Sequence, residues 1–245
     1  MNDWITPNWP APLNVQALFT TRSGGISSGP YTNFNLGDHV GDKKHIVNQN
    51  RAELLKALPN EPKWLNQVHG STPIWVDNNT NLLRGDAALS KTHNIVCAIL
   101  TADCLPIFLC DEAGTVVGIV HAGWRGLAAG VIEQAVAEMR KGCVHIMAYL
   151  GPAIGPDYFE IGEEVRDSFI KQDKISAAAF TQCSGLNSKK WHADIFLLAR
   201  QRLAVAGITK IYSHEECTYS NPDKFFSYRR DGDTGRMAGL IWLTE

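Results

Sequence analysis

The segment "LPIFLCDEAGTVVGIVH", residues 105–121, decides the fold. Its outer runs, 105–110 and 115–121, are almost wholly apolar and read as strands buried in a core. Between them Asp111, Glu112, Ala113 and Gly114 supply turn chemistry, so the runs are expected to join as a hairpin. Each run also touches a residue that packing does not require. Asp103 and Cys104 stand immediately before the first, and His121 ends the second.

Further strand-like runs flank the hairpin. "VQALFTT" (15–21), "KWLNQVH" (63–69), "TPIWVD" (72–77) and "NIVCAIL" (94–100) precede it, and "VHIMAYL" (144–150), "KIYSHEECTY" (210–219) and "MAGLIWL" (237–243) follow. Helical spacing of apolar residues predicts helices over 45–59, 127–139, 161–172 and 192–207, with Pro59 ending the first and Gly207 closing the last. Strands cluster in groups instead of alternating with helices one by one. That pattern predicts an α+β fold, one domain over residues 1–245 with mixed β-sheets flanked by helices.

Bulk properties exclude several classes. The chain has 245 residues, a hydrophobic share of 44%, a charged share of 20% and a formal net charge of −2. Such a chain can bury a substantial core and presents no overall field for nucleic acid or an anionic membrane. The start, "MNDWITPNWP", lacks a basic region followed by an apolar one, and no apolar run approaches a membrane span. A cytoplasmic protein with no nucleic-acid or membrane partner is expected. Its oligomeric state stays open, a monomer included. The six cysteines show no C-x-x-C pattern and do not resemble a disulfide framework. Cys97 and Cys110, inside apolar runs, read as core residues.

Three residues share one context. His69 ends "WLNQVH" before Gly70, Cys104 adjoins a strand-like run, and His121 ends "VVGIVH" before Ala122 and Gly123. All are soft or borderline ligands at strand edges, where sites are commonly built. Three such ligands suit zinc and leave a fourth position for water or substrate. Their separations of 35 and 17 residues match no local metal motif, and a buried histidine is more often a hydrogen-bonded core residue. Asp103 is costly to bury alone; it could orient a ligand histidine, act as a general base, or pair with a structural arginine.

Glycine-rich segments add candidate binding groups. In "TRSGGIS" (21–27), backbone N–H groups and Arg22 could hold an anion. "GWRG" (123–126) puts Arg125 at the start of the 127–139 helix, where phosphate is favoured. "GPAIGP" (151–156) reads as a rigid turn. "FFSYRRDGDTGRMAG" (225–239) is either a pocket wall, with Phe226 stacking a base and Arg229 binding substrate, or a charged hairpin.

Taken in order, "NQVHG", "TADCLPI", "VHAGWRG", "LGPAIGP" with "FEIGEEV", and "FFSYRRDGDTGRMAGLIWL" resemble the signature blocks of the multicopper polyphenol oxidoreductase (laccase-domain) family, from about Phe19 to Leu243. The resemblance implies an α+β fold shared with a cysteine-hydrolase (cytotoxic necrotizing factor-like) superfamily and a zinc ion held by His69, Cys104 and His121. It also implies purine nucleoside phosphorylase activity on adenosine, inosine, guanosine and methylthioadenosine, adenosine deaminase activity, and a role in peptidoglycan editing. Purine nucleoside and phosphate would then be the partners; on the residues' own chemistry, Arg22 and Arg125 would hold phosphate and Asp103, or another acid, would manage a proton beside Cys104 and His121 in the catalytic group.

The family's older name implies copper as an alternative ion and oxidation of phenols. A multicopper oxidase needs a blue site plus a trinuclear cluster, typically built from paired H-x-H histidines. This chain has eight histidines and no H-x-H, which disfavours that chemistry. Two further readings stand beside the zinc enzyme. One is a thiol hydrolase with Cys104 as nucleophile, acting on a serine-containing muropeptide or its precursor. The other is a non-catalytic nucleotide-binding module.

Overall fold

The structure is a computed structural model that describes residues 3–80, 83–143, 145–184 and 189–245. Its strands are β1 (Val15–Phe19), β2 (Lys63–Trp64), β3 (Pro73–Trp75), β4 (Ala87–Ser90), β5 (Cys97–Thr101), β6 (Leu105–Asp111), β7 (Val117–Ala122), β8 (Ile146–Leu150), β9 (Glu160–Gly162), β10 (Phe180–Gln182), β11 (Lys190–Ala193), β12 (Lys210–Ser213) and β13 (Met237–Leu243). The α-helices are α1 (Lys44–Leu55), α2 (Trp124–Ala128), α3 (Val131–Arg140), α4 (Glu163–Ile170), α5 (Ile195–Val205) and α6 (Tyr228–Asp231).

The hairpin of β6 and β7 sits inside a six-stranded mixed sheet of order β12-β8-β6-β7-β4-β3. Every residue of β6 and β7 is buried because the sheet is covered on both faces. Strand alternation then sorts the side chains into two cores. Leu105, Ile107 and Leu109 face α3 and α5, while Phe108 and Cys110 face a second sheet of order β1-β13-β5-β2. The outer side of that second sheet, with Ala98, Leu100, Leu240 and Trp242, packs against Leu54 of α1. The result is four layers: helices, sheet, sheet, helix. The α+β architecture with mixed sheets is therefore the observed one.

Several boundaries differ from the sequence reading. The expected 127–139 helix begins earlier and is two helices, broken by Gly130 at φ +85°. Segment 63–69 is strand only at its first two residues, and segment 210–219 only over Lys210–Ser213. The helices expected from 161 and 192 start at Glu163 and Ile195, and the residues before them belong to β9 and β11. Asp194 sets the second start, accepting a bond from the Leu197 N–H. With β10, these strands form a small antiparallel sheet. Val144, the first residue of the expected 144–150 strand, lies outside the described residues. No helix among the described residues is long and apolar enough to cross a membrane.

Candidate metal centre and active site

Strand pairing brings the three candidate ligands to one end of the sheets. In the β6–β7 register Leu105 opposes Ala122 and Pro106 opposes His121, so Cys104 lies beside the end of β7. His69 comes in on the loop between β2 and β3. Cys104 Sγ lies 3.9 Å from His69 Nε2, and the His69 and His121 rings meet edge to face with centroids 4.8 Å apart. The three ligand atoms all fall within 4.8 Å of one another, so these residues can hold a metal ion. Gly123 makes that approach feasible: a Cβ there would lie 3.0 Å from both Cys104 Sγ and His69 Cδ2.

Asp86 organises this cluster and was not singled out from the sequence. Fully buried, it accepts the backbone N–H groups of Val68 (3.2 Å), His69 (3.0 Å) and Gly70 (2.7 Å). Three successive N–H groups converging on one anion form a nest, here filled from within the chain. They hold His69 at φ +57°, a backbone region that non-glycine residues rarely occupy. The same carboxylate accepts from His121 Nδ1 at 2.9 Å. A carboxylate can only accept, so Nδ1 carries the proton and Nε2 is turned toward Cys104 and His69.

Protonation follows from this packing. Burial works to push the Cys104 thiol up, but His121 and His69 more than reverse it and bring its pKa down to about 6. Burial likewise works against charge on His121, and the Cys104 thiolate and Asp86 together raise it to about 9. Without an ion, Cys104 and His121 therefore form a thiolate–imidazolium pair near neutral pH. Burial raises the Asp86 pKa, while His121 and the backbone donors outweigh it, leaving the net shift downward. Cys97 and Cys110 are fully buried, and desolvation drives their thiols far up, as expected of core cysteines.

The cluster opens into a cavity of about 810 Å³ whose wall includes Trp64, Thr101, Asp103, Trp124, Arg125, Arg229 and Arg236. Thr101 Oγ1 and Trp64 Nε1 are buried without a hydrogen-bond partner among the described residues. Arg125 is exposed, its guanidinium 4.4 Å from the Trp124 ring centroid. Arg229 donates through Nη1 to the carbonyls of Tyr158 and Glu160.

Asp103 does not orient a histidine; Asp86 does that. Its oxygens instead accept from Thr218 Oγ1 and the Arg229 N–H, both at 2.7 Å, and its backbone sits at φ +94°. It shapes the tight corner between β5 and β6 that presents Cys104. Two expected binding residues are also displaced from the cavity. Phe226 is completely buried, its ring filling the space over Gly235, so no base can stack on it. Arg22 lies over that ring at 4.7 Å and donates to the Pro222 carbonyl, which ties two loops together away from the cavity wall.

The family model described as multi-copper polyphenol oxidoreductase laccase matches residues 16–244. The chain belongs to this laccase family. The purine nucleoside phosphorylase YfiH of Escherichia coli is 48% identical over 246 residues, covering 99% of this chain and 100% of the relative. A purine nucleoside phosphorylase of Pseudomonas aeruginosa is 46% identical over 245 residues, with both chains fully covered. Among solved structures, the Neisseria meningitidis protein NMB0706 superposes with a TM-score of 0.92 at 45% identity, covering 99% of this chain and 100% of that one. YlmD from Geobacillus stearothermophilus gives 0.83 at 31% identity, covering 96% and 94% of the two chains.

Within the laccase family frame, the sequence reading passed over Asp86 and Arg236. Asp86 carries one weak signal, a lone acid in "RGDAALS" directly before a strand that is buried throughout. Arg236 lies inside the 225–239 block, where Phe226 and Arg229 are the more conspicuous residues. Its guanidinium is half-buried in the cavity wall, donates to the Thr234 and Gly235 carbonyls, and is near enough to Cys104 and Asp103 to feel their charge.

Proposed function

We propose that this chain is a zinc-dependent purine nucleoside phosphorylase. The observation that carries the reading is the His69–Cys104–His121 cluster opening into a cavity of nucleoside size, in a chain aligned end to end with relatives of that name. Imidazole and thiolate donors fit zinc, and Asp86 supplies the outer carboxylate that fixes such a ligand histidine. Bound by these residues, zinc supplies Lewis acidity toward an oxygen ligand.

The chain's own residues carry the rest. Of the cavity arginines, we assign Arg125 and Arg236 to attract phosphate, while Arg229 is tied to the Tyr158 and Glu160 carbonyls. Trp124 offers an aromatic face to the purine. Phosphate oxygen forms the new bond to the anomeric carbon as the bond to the purine nitrogen breaks. The bonding pair leaves with the base, which gains the proton that phosphate gives up. Asp103 acts through position, since both of its oxygens are engaged. The adenosine deaminase activity that the family resemblance implies would need water to form a bond to purine C6 while the C6–N bond breaks and the amino group leaves as ammonia, taking up the proton that the water gives up. Peptidoglycan editing rests on that resemblance alone.

One observation favours a second reading. Asp86, His121 and Cys104 line up as acid, base and lowered-pKa thiol, the arrangement of a cysteine hydrolase. Chelation separates the two. The zinc reading predicts that activity disappears on exhaustive chelation and returns with zinc. Activity that survives chelation but is lost on alkylation of Cys104 overturns it in favour of the hydrolase. The copper oxidase reading gains nothing here, because these three residues provide for one ion and not for a blue site plus a trinuclear cluster.

A further inference from the structure

A second cluster of metal-ligating side chains lies on the small sheet of β9, β10 and β11. Its inner face, with Ile161, Phe180 and Ala193, packs on the main core. Alternation therefore turns Glu160, Cys183 and His192 to the other face. Glu160 pairs directly with His192 across β9 and β11, and the Cys183 N–H bonds the Lys190 carbonyl, two residues before His192. The ligand atoms of Glu160, Cys183 and His192 fall within 4.8 Å of one another. Tetrahedral zinc holds such atoms roughly 3.3–3.8 Å apart, inside that 4.8 Å limit.

We propose that Glu160, Cys183 and His192 form a second site for a borderline divalent cation, zinc by its ligand chemistry, separate from the cavity cluster. Carboxylate, thiolate and imidazole are the donors that zinc takes, and three of them leave one position for water. Lys190 Nζ bonds Glu160 Oε1 at 2.6 Å and keeps the carboxylate charged, leaving Oε2 for the ion. Bound there, the ion would clip together three strands of only three or four residues, too short to be stable alone.

The test is a count of ions. Metal-stripped full-length protein is dialysed against zinc, and bound zinc per chain is measured by mass spectrometry for wild type and for His192→Ala. The expected result is one ion fewer in the variant, with phosphate-dependent turnover unchanged. Because the readout is a difference, it stands even if the cavity cluster holds no zinc. Equal counts in the two proteins overturn the proposal. Should His192→Ala misfold, Glu160→Gln serves instead; it should weaken one class of zinc site by at least ~10-fold, and an unchanged isotherm refutes the site.

Discussion

Asp86 connects the two histidines: it fixes the backbone of one through the nest and the ring of the other through Nδ1. An Asn there keeps the shape but offers an N–H₂ group where a donor already points. Asp86→Asn should therefore lower zinc affinity by about 10–100-fold in competition with a chromogenic chelator; unchanged affinity would show that the carboxylate plays no part. The thiol is a second residue-scale test. Thiolate forms on the alkaline side of its pKa, so alkylation of Cys104 in metal-free protein should rise with pH and level off above about 6. Site-resolved mass spectrometry should find Cys97 and Cys110 unmodified throughout. His121→Ala removes the largest charge partner and should move the Cys104 profile to higher pH. At this scale the three candidate ligands were legible as soft donors at the edges of apolar runs, but only the ordered family blocks singled them out together. Asp86 was not, since its partners are backbone groups that no motif records. Phe226 misled because an aromatic beside arginines looks the same in sequence whether it lines a cavity or fills a core.

The turn from β7 into α2 is the element on which the site depends most closely. Gly123→Ala would push a methyl against Cys104 and His69, spreading the ligands while leaving the strands intact. It should weaken zinc binding by at least ~10-fold with little change in circular dichroism. Retention of wild-type affinity would mean that the ligands do not converge as described. Core strands respond differently. Phe108 on β6 is wholly buried between the two sheets, so Phe108→Ala should cost about 3–5 kcal/mol in denaturant unfolding. The β6–β7 hairpin was legible because its runs are long, apolar and separated by clear turn residues. The small sheet of β9, β10 and β11 was not, because strands of three or four residues carry too little alternation to stand out. The break in 127–139 was hidden because Leu127 and Val131 keep helical spacing across Gly130.

Across the whole molecule, four layers leave one end of the paired sheets open, and the cavity with its ligands occupies that end. The α+β class was legible from the grouping of strands. The layer order was not, since it depends on which strands pair across long stretches of chain, such as β1 with β13. The same geometry places the arginines. Arg125 stays at the cavity, whereas Arg22 is drawn off to brace a loop, a difference that spacing cannot reveal. The central claim concerns what this assembly does to a nucleoside, and phosphorus NMR of the zinc-loaded protein with inosine tests it most directly. The account predicts a ribose 1-phosphate signal that grows with hypoxanthine release, requires added phosphate, and is lost in His121→Ala. Hypoxanthine released equally without phosphate, or no release under either condition, would contradict it.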